Sequence, residues 1–155
     1  MSAPKYIKRT QREIRKLKEL SEAGIYIYQS DPSNICEFKV IIYGPKGTPY
    51  EGGLYVLSCK LSDDYPLNAP KITFLTKILH PNIGEEDGKI CMDILSTKWC
   101  PAYTIPSIIH SIWWLLCNPD FDNAFNEEAV RLYKADQQIY EEICMSYKLL
   151  YSPNI

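Results

Sequence analysis

The chain has few of the features that mark several large protein classes. No apolar run approaches the roughly 20 residues that a membrane span needs. The opening stretch, MSAPKYIKRTQREIRK, has no apolar core of the secretory kind, so secretion is not expected. There are six cysteines but no C-x-x-C pair, and the two histidines do not form a pair at ligand spacing. A structural zinc site is therefore not expected. The cysteines read as reduced thiols, which points to the cytoplasm and nucleus. A pI near 5.7 lacks the basic footprint of a nucleic-acid binder. No internal repeat, linker or low-complexity segment divides the 155 residues, and residues 1–155 read as one domain.

What is present is a globular composition, 46% hydrophobic and 23% charged, which argues against disorder. Charge is spread unevenly. Residues 1–20 hold seven basic and two acidic groups, a local +5. The rest holds ten basic and seventeen acidic ones, −7. A basic end on an acidic body suits a partner with an acidic face, though a solvated helix face would look the same.

Ile7, Ile14, Leu17 and Leu20 recur at helical spacing, which predicts an amphipathic helix from Pro4 to Ser21, stopped by Gly24. Four β-rich runs follow at 25–30, 36–43, 54–61 and 71–76, separated by turn residues. Their short connections predict an antiparallel meander. No long periodic element is visible between Ile78 and Tyr103, and such a segment inside a compact domain is usually functional. Thr104 can cap a helix to Cys117 that buries Ile105, Ile108, Ile109 and Ile112. Asn126 can cap a short helix to Tyr133, and a last helix is expected from Asp136 to Leu150. The order predicts an α+β domain: a four-stranded antiparallel sheet with an N-terminal helix and three C-terminal helices on one face.

The unpatterned segment holds the most specific chemistry, His80-Pro81-Asn82 and, eleven residues past the histidine, Cys91. A thiol can carry an acyl group as a thioester, and a side-chain amide can donate to the oxyanion formed when that thioester is attacked. A second reading is a Cys–His hydrolase using Cys91 with His80 or His110. A third is a binding module without activity.

Six motifs in order now carry a resemblance: GPKGTPYEGG (44–53), YPLNAPK (65–71), TKILHPN (76–82), GKICMDIL (88–95), WCPA (99–102) and LLCNP (115–119). Over about residues 4–151 the chain resembles the ubiquitin-conjugating enzymes. YPLNAPK and the closing Ser-Pro-Asn-Ile are most similar to the branch that builds lysine-linked chains with an inactive homologue. The resemblance implies that Cys91 takes ubiquitin from the activating enzyme and passes it to a lysine, usually with a ligase. No cofactor is implied on this chain; ATP belongs to the activating enzyme. A monomer is expected when the chain is alone.

By the same resemblance Asn82 is an oxyanion donor or a loop-ordering residue, with even claims, and His80 orders the loop. Asp122, Asn123 and Asp93 would surround the acceptor lysine. Relatives often carry two aspartates and a proline where this chain has Asp122-Asn123-Ala124, so slower transfer to free lysine is expected. Lys8, Arg9 and Arg12, the loop at Leu67, and Trp99, Pro101 and Ala102 would meet the activating enzyme and ligases. Ser107, His110 and Trp114 would contact the carried ubiquitin. Trp113 and Trp114 are adjacent on one helix and cannot both face the core. Ser58 and Lys60 replace the contacts that the branch offers its inactive partner.

Overall fold

The computed structural model describes residues 5–153. Helix α1 spans Ile7–Lys18. It buries Ile14 and Leu17 together with the polar Thr10 and Glu13. The helix is shorter than expected: Ile7 opens it, is 39% exposed, and does not join the apolar face. The expected start at Pro4 lies outside the described residues. No side chain caps the first turn, whose preceding residue is Tyr6. A single 3₁₀ turn at Ser21–Ala23 follows, and Gly24 ends it at φ 79°, a conformation open to glycine without strain.

Strands β1 (Ile25–Tyr28), β2 (Glu37–Tyr43), β3 (Leu54–Lys60) and β4 (Lys71–Phe74) form the meander in the order β1-β2-β3-β4, every pair antiparallel. Each is trimmed by one to two residues against the apolar runs that announced it. Alternation sets the two faces. Phe38, Val40 and Ile42 of β2, Tyr55, Leu57 and Cys59 of β3, and Ile72 and Phe74 of β4 point into the core. Ser58 and Lys60 stand on the opposite face, Ser58 between Lys39 and Thr73, Lys60 between Glu37 and Lys71.

Helix α2 (Ile105–Cys117) supplies the other half of the core. Ile105, Ile108, Ile109 and Ile112 have no exposed surface at all. Burial of each such side chain contributes about 2 kcal/mol. Its N-terminus is closed by a capping box, in which Thr104 Oγ1 accepts from Ser107 N–H and Ser107 Oγ accepts from Thr104 N–H. Helices α3 (Glu127–Ala135) and α4 (Gln137–Tyr151) are capped by Asn126 and Asp136, as their sequence positions suggest. Each runs one or two residues past the expected end. Among the described residues no helix is long and apolar enough to cross a membrane.

Candidate active site

Cys91 sits at the end of a small hairpin built from residues 83–90. Ile83 pairs with Ile90, and Gly84 N–H donates to Lys89 O at 2.8 Å. Gly88 turns the hairpin at φ 67° and lies so close to β4 that a Cβ would fall 2.0 Å from Phe74 O. Only glycine fits there. Cys91 itself is partly buried, and its N–H donates to Asn82 O at 2.8 Å.

The segment that leads into this hairpin is fixed from below. Tyr50, from the GPKGTPYEGG stretch, donates its hydroxyl to Leu79 O at 2.6 Å. Its oxygen also lies 2.7 Å from the Tyr140 hydroxyl of α4, which reaches the same carbonyl at 3.2 Å. His80 is fully buried. Its Nε2 is 2.8 Å from Leu115 O, and its Nδ1 accepts from Asn82 N–H at 3.0 Å. A carbonyl cannot donate, so Nε2 carries the proton and the ring is neutral. Burial pushes its pKa down to about 4. Both ring nitrogens are occupied, so His80 has none free to take a thiol proton.

Asn82 is also fully buried. Its Nδ2 donates to Asp120 O at 2.6 Å and to Asn123 O at 2.7 Å, and its Oδ1 accepts from Asp120 N–H at 2.9 Å. Both amide protons are therefore spent on the 120–123 loop. In this arrangement Asn82 stitches that loop to the chain beside Cys91 and keeps no proton for an oxyanion.

The Cys91 thiol is pushed above its ordinary pKa, first by burial, then by the charge of Asp120, then by that of Asp93. It is protonated at neutral pH and does not stand as a thiolate. Asp93 is exposed and opens a 3₁₀ turn, Asp93–Leu95. It pairs with Lys98 at 3.4 Å and its side chain caps nothing. Asp122 and Asn123 are exposed. Asn123 Nδ2 donates to Asp120 Oδ2 at 2.9 Å. Sequence reasoning passed over Asp120. The signal available was its place after Asn118-Pro119, at the start of the acidic loop.

A groove of about 510 Å³ runs beside this site, between Met92, Asp93, Ile94 and Asp120 on one side and His110 and Trp114 of α2 on the other. Ser107, His110 and Trp114 share the exposed stripe of α2, Trp114 being 63% exposed. Trp113 is partly buried and lines a different cavity, together with Tyr43 and Pro45. The adjacent tryptophans thus divide as their spacing requires.

A second surface gathers around α1. Trp99 Nε1 donates to Pro66 O at 2.9 Å, which brings the Leu67 loop against residues 99–102. Leu67 is 53% exposed, and Pro101 and Ala102 are exposed beside it. Lys8 and Arg12 are exposed on α1. Arg9 is engaged internally, donating to Tyr103 O at 2.6 Å and to Glu13 at 3.5 Å and lying 5.8 Å from the Tyr65 ring centroid. Glu13 is 3% exposed and accepts from the Tyr65 hydroxyl at 2.9 Å and from Ile105 N–H at 2.8 Å. Its charge faces the N-terminus of α2, where the helix dipole favours an anion. Among the described residues no group of acidic, cysteine or histidine side chains is placed to hold a metal.

Comparison with known proteins decides the family. The ubiquitin-conjugating enzyme family model matches residues 9–148. The chain belongs to the ubiquitin-conjugating enzyme family. Ubiquitin-conjugating enzyme E2 1 of Schizosaccharomyces pombe is 37% identical over 131 residues, 84% of this chain. The match spans only 60% of that protein's own length. An Arabidopsis thaliana protein assigned as ubiquitin-conjugating enzyme E2 31 is 38% identical over 135 residues, 87% of each chain. Among solved structures, a Plasmodium yoelii protein assigned as a ubiquitin conjugating enzyme superposes with a TM-score of 0.89 at 35% identity, over 100% of both chains. The E2 domain of a Toxoplasma gondii ubiquitin conjugating enzyme gives 0.81 at 32% identity, over 92% of this chain and 98% of its own. The α+β architecture is therefore that of the family.

Proposed function

We propose that this protein carries ubiquitin as a thioester on Cys91 and transfers it to a lysine amine. It would be charged by the activating enzyme and directed by a ligase. The observation that carries the reading is the setting of Cys91: a protonated, partly buried thiol at the end of a hairpin, beside a histidine, His80, whose two ring nitrogens are both engaged. Such a thiol suits a carrier better than a base-activated hydrolase. Asn82 then orders the site by joining its two loops. The stripe of Ser107, His110 and Trp114 is the docking face for the carried ubiquitin. The basic residues of α1 with Leu67, Trp99, Pro101 and Ala102 meet the activating enzyme and ligases.

The test is a charging reaction with activating enzyme, ATP and ubiquitin, read on a non-reducing gel. The native chain gives a thiol-sensitive adduct, Cys91→Ser a thiol-resistant oxyester, and Cys91→Ala none. An adduct on Cys91→Ala removes the assignment. Strong iodoacetamide labelling of Cys91 at pH 6 would instead favour the hydrolase, because only a low-pKa thiol reacts there.

A finer reading, the building of lysine-linked chains with an inactive homologue, rests on YPLNAPK at 65–71. On the outer sheet face Lys60 stands beside Lys71 and Glu37, so such a partner would need a surface that accepts a lysine. Co-elution of the two proteins, and free chains only when both are present, would support it.

A further inference from the structure

We propose that Asp120 is the carboxylate that takes the proton from the attacking lysine, held in position by Asn123; this rests on the thioester-carrier reading above. A lysine ammonium, with its pKa near 10.4, must lose a proton before its nitrogen can attack. Two protons leave that nitrogen in all. The first goes to the Asp120 carboxylate and from there to water. The freed lone pair then forms the C–N bond with the thioester carbon. The C–S bond breaks, and the second proton ends on the Cys91 sulfur. The products are an amide and a neutral thiol.

The geometry places Asp120 for this step. Its main chain is clamped on both sides by the Asn82 side chain, at 2.9 Å through its N–H and 2.6 Å through its carbonyl. Asn82 O in turn takes the Cys91 N–H at 2.8 Å. The carboxylate and the thiol therefore hang from one fully buried residue. Asp120 Oδ1 accepts from Asp122 N–H at 3.1 Å and Oδ2 accepts from Asn123 Nδ2 at 2.9 Å. Each oxygen keeps a lone pair for an incoming ammonium.

The other acids nearby are less suited. Asp93 is already paired with Lys98. Among the described residues no ion pair engages Asp120. Of the charges that act on the Cys91 thiol, that of Asp120 is the larger and that of Asp93 the smaller. Asp122 contributes its backbone N–H to Asp120, while its own carboxylate is not among the charges that act on the thiol. The remaining titratable neighbour is His110, across the groove on α2. Asn123 cannot take a proton, but it can aim the group that does.

The test separates charging from discharge. The full chain is loaded with ubiquitin, the activating enzyme is stopped, and loss of the thioester to free lysine is followed from pH 6.5 to 10. Hydroxylamine, an amine already neutral at pH 7, is the second acceptor. Asp120→Asn should charge as fully as the native chain, which also certifies its fold. Its lysine discharge should fall by about tenfold or more at pH 7, and the gap should close toward pH 10. Hydroxylamine discharge should stay within about twofold, since no ammonium needs a base. Asp120→Glu should recover part of the lysine rate with the native pH profile.

An equal loss with both acceptors, or a loss independent of pH, overturns the proposal and makes Asp120 purely structural. A greater loss in Asp122→Asn than in Asp120→Asn assigns the base to Asp122 instead. Failure of the native chain to charge at all is read before any discharge, and it would remove the carrier reading itself.

Discussion

The two loops that meet at Cys91 are built on opposite terms. The 79–82 segment is buried, and its side chains spend every hydrogen-bonding group on the protein. His80 uses both ring nitrogens and Asn82 uses its whole amide. The 120–123 loop lies at the surface. Its one partly buried carboxylate is held only by Asp122 N–H and Asn123 Nδ2. The first loop is a scaffold that tolerates little, and the second presents groups with capacity to spare. Similar residue types, two asparagines and a run of acids, therefore play different parts according to which loop holds them.

The contrast can be broken most forcefully at Asn82. Asn82→Ala removes three hydrogen bonds and leaves Asp120 and Asn123 backbone groups unpaired. We expect a loss of about 4 kcal/mol of stability in chemical denaturation. Thioester discharge should fall as well. A variant as stable as the native chain would show that the two loops are joined by something other than this amide.

The next effect concerns His80. Its folded pKa of about 4 lies below the ordinary 6.5, because burial disfavours the charged ring. Stability from this group is complete above pH 6.5. It is lost as pH falls from 6.5 toward 4, where the unfolded chain binds the proton and the folded one does not. The full window is worth about 3 kcal/mol. Denaturation midpoints at pH 7 and 4.5 check this, with His80→Gln expected to be less stable at pH 7 but to show a shallower pH dependence. An unchanged slope in His80→Gln would place the acid sensitivity elsewhere.

The smallest effect belongs to the surface loop. Asn123→Ala should change stability by no more than about 0.5 kcal/mol, as exposed substitutions usually do. It should still slow discharge to lysine about threefold by freeing the Asp120 carboxylate to turn. A large loss of stability would mean that Asn123 belongs to the scaffold. Restoring an acid with Asn123→Asp would set two carboxylates side by side where one is now steadied by an amide, so the substitution does not simply add a base.

Much of the chain was legible locally. Thr104, Asn126 and Asp136 cap the helices whose starts they mark, and each bond closes within three residues. Side chains along β2 and β3 alternate between buried and more exposed, the period of two that strand geometry imposes on the sequence. The end of α1 was placed too late because the apolar spacing carries on through Leu20, where the chain has already left the helix for a 3₁₀ turn. Glu13, one of the two acidic groups among residues 1–20, is buried where three segments meet, a placement that its basic surroundings in the sequence do not show. Asp120 was given no role because its neighbours Asp122 and Asn123 matched a family pattern and it did not.

The sequence by itself determined the order of elements, their caps, and the presence of one thiol in a setting unlike the other five. Those features depend on dihedral preference, side-chain period and bonds to the nearest few residues. The tertiary structure alone decided that Asn82 would give its amide to residues 38 and 41 positions away, and that His80 would anchor on Leu115, 35 positions on. Such bonds form only after the sheet and α2 have closed the intervening loops. A buried donor then takes whichever carbonyl the packing brings to it.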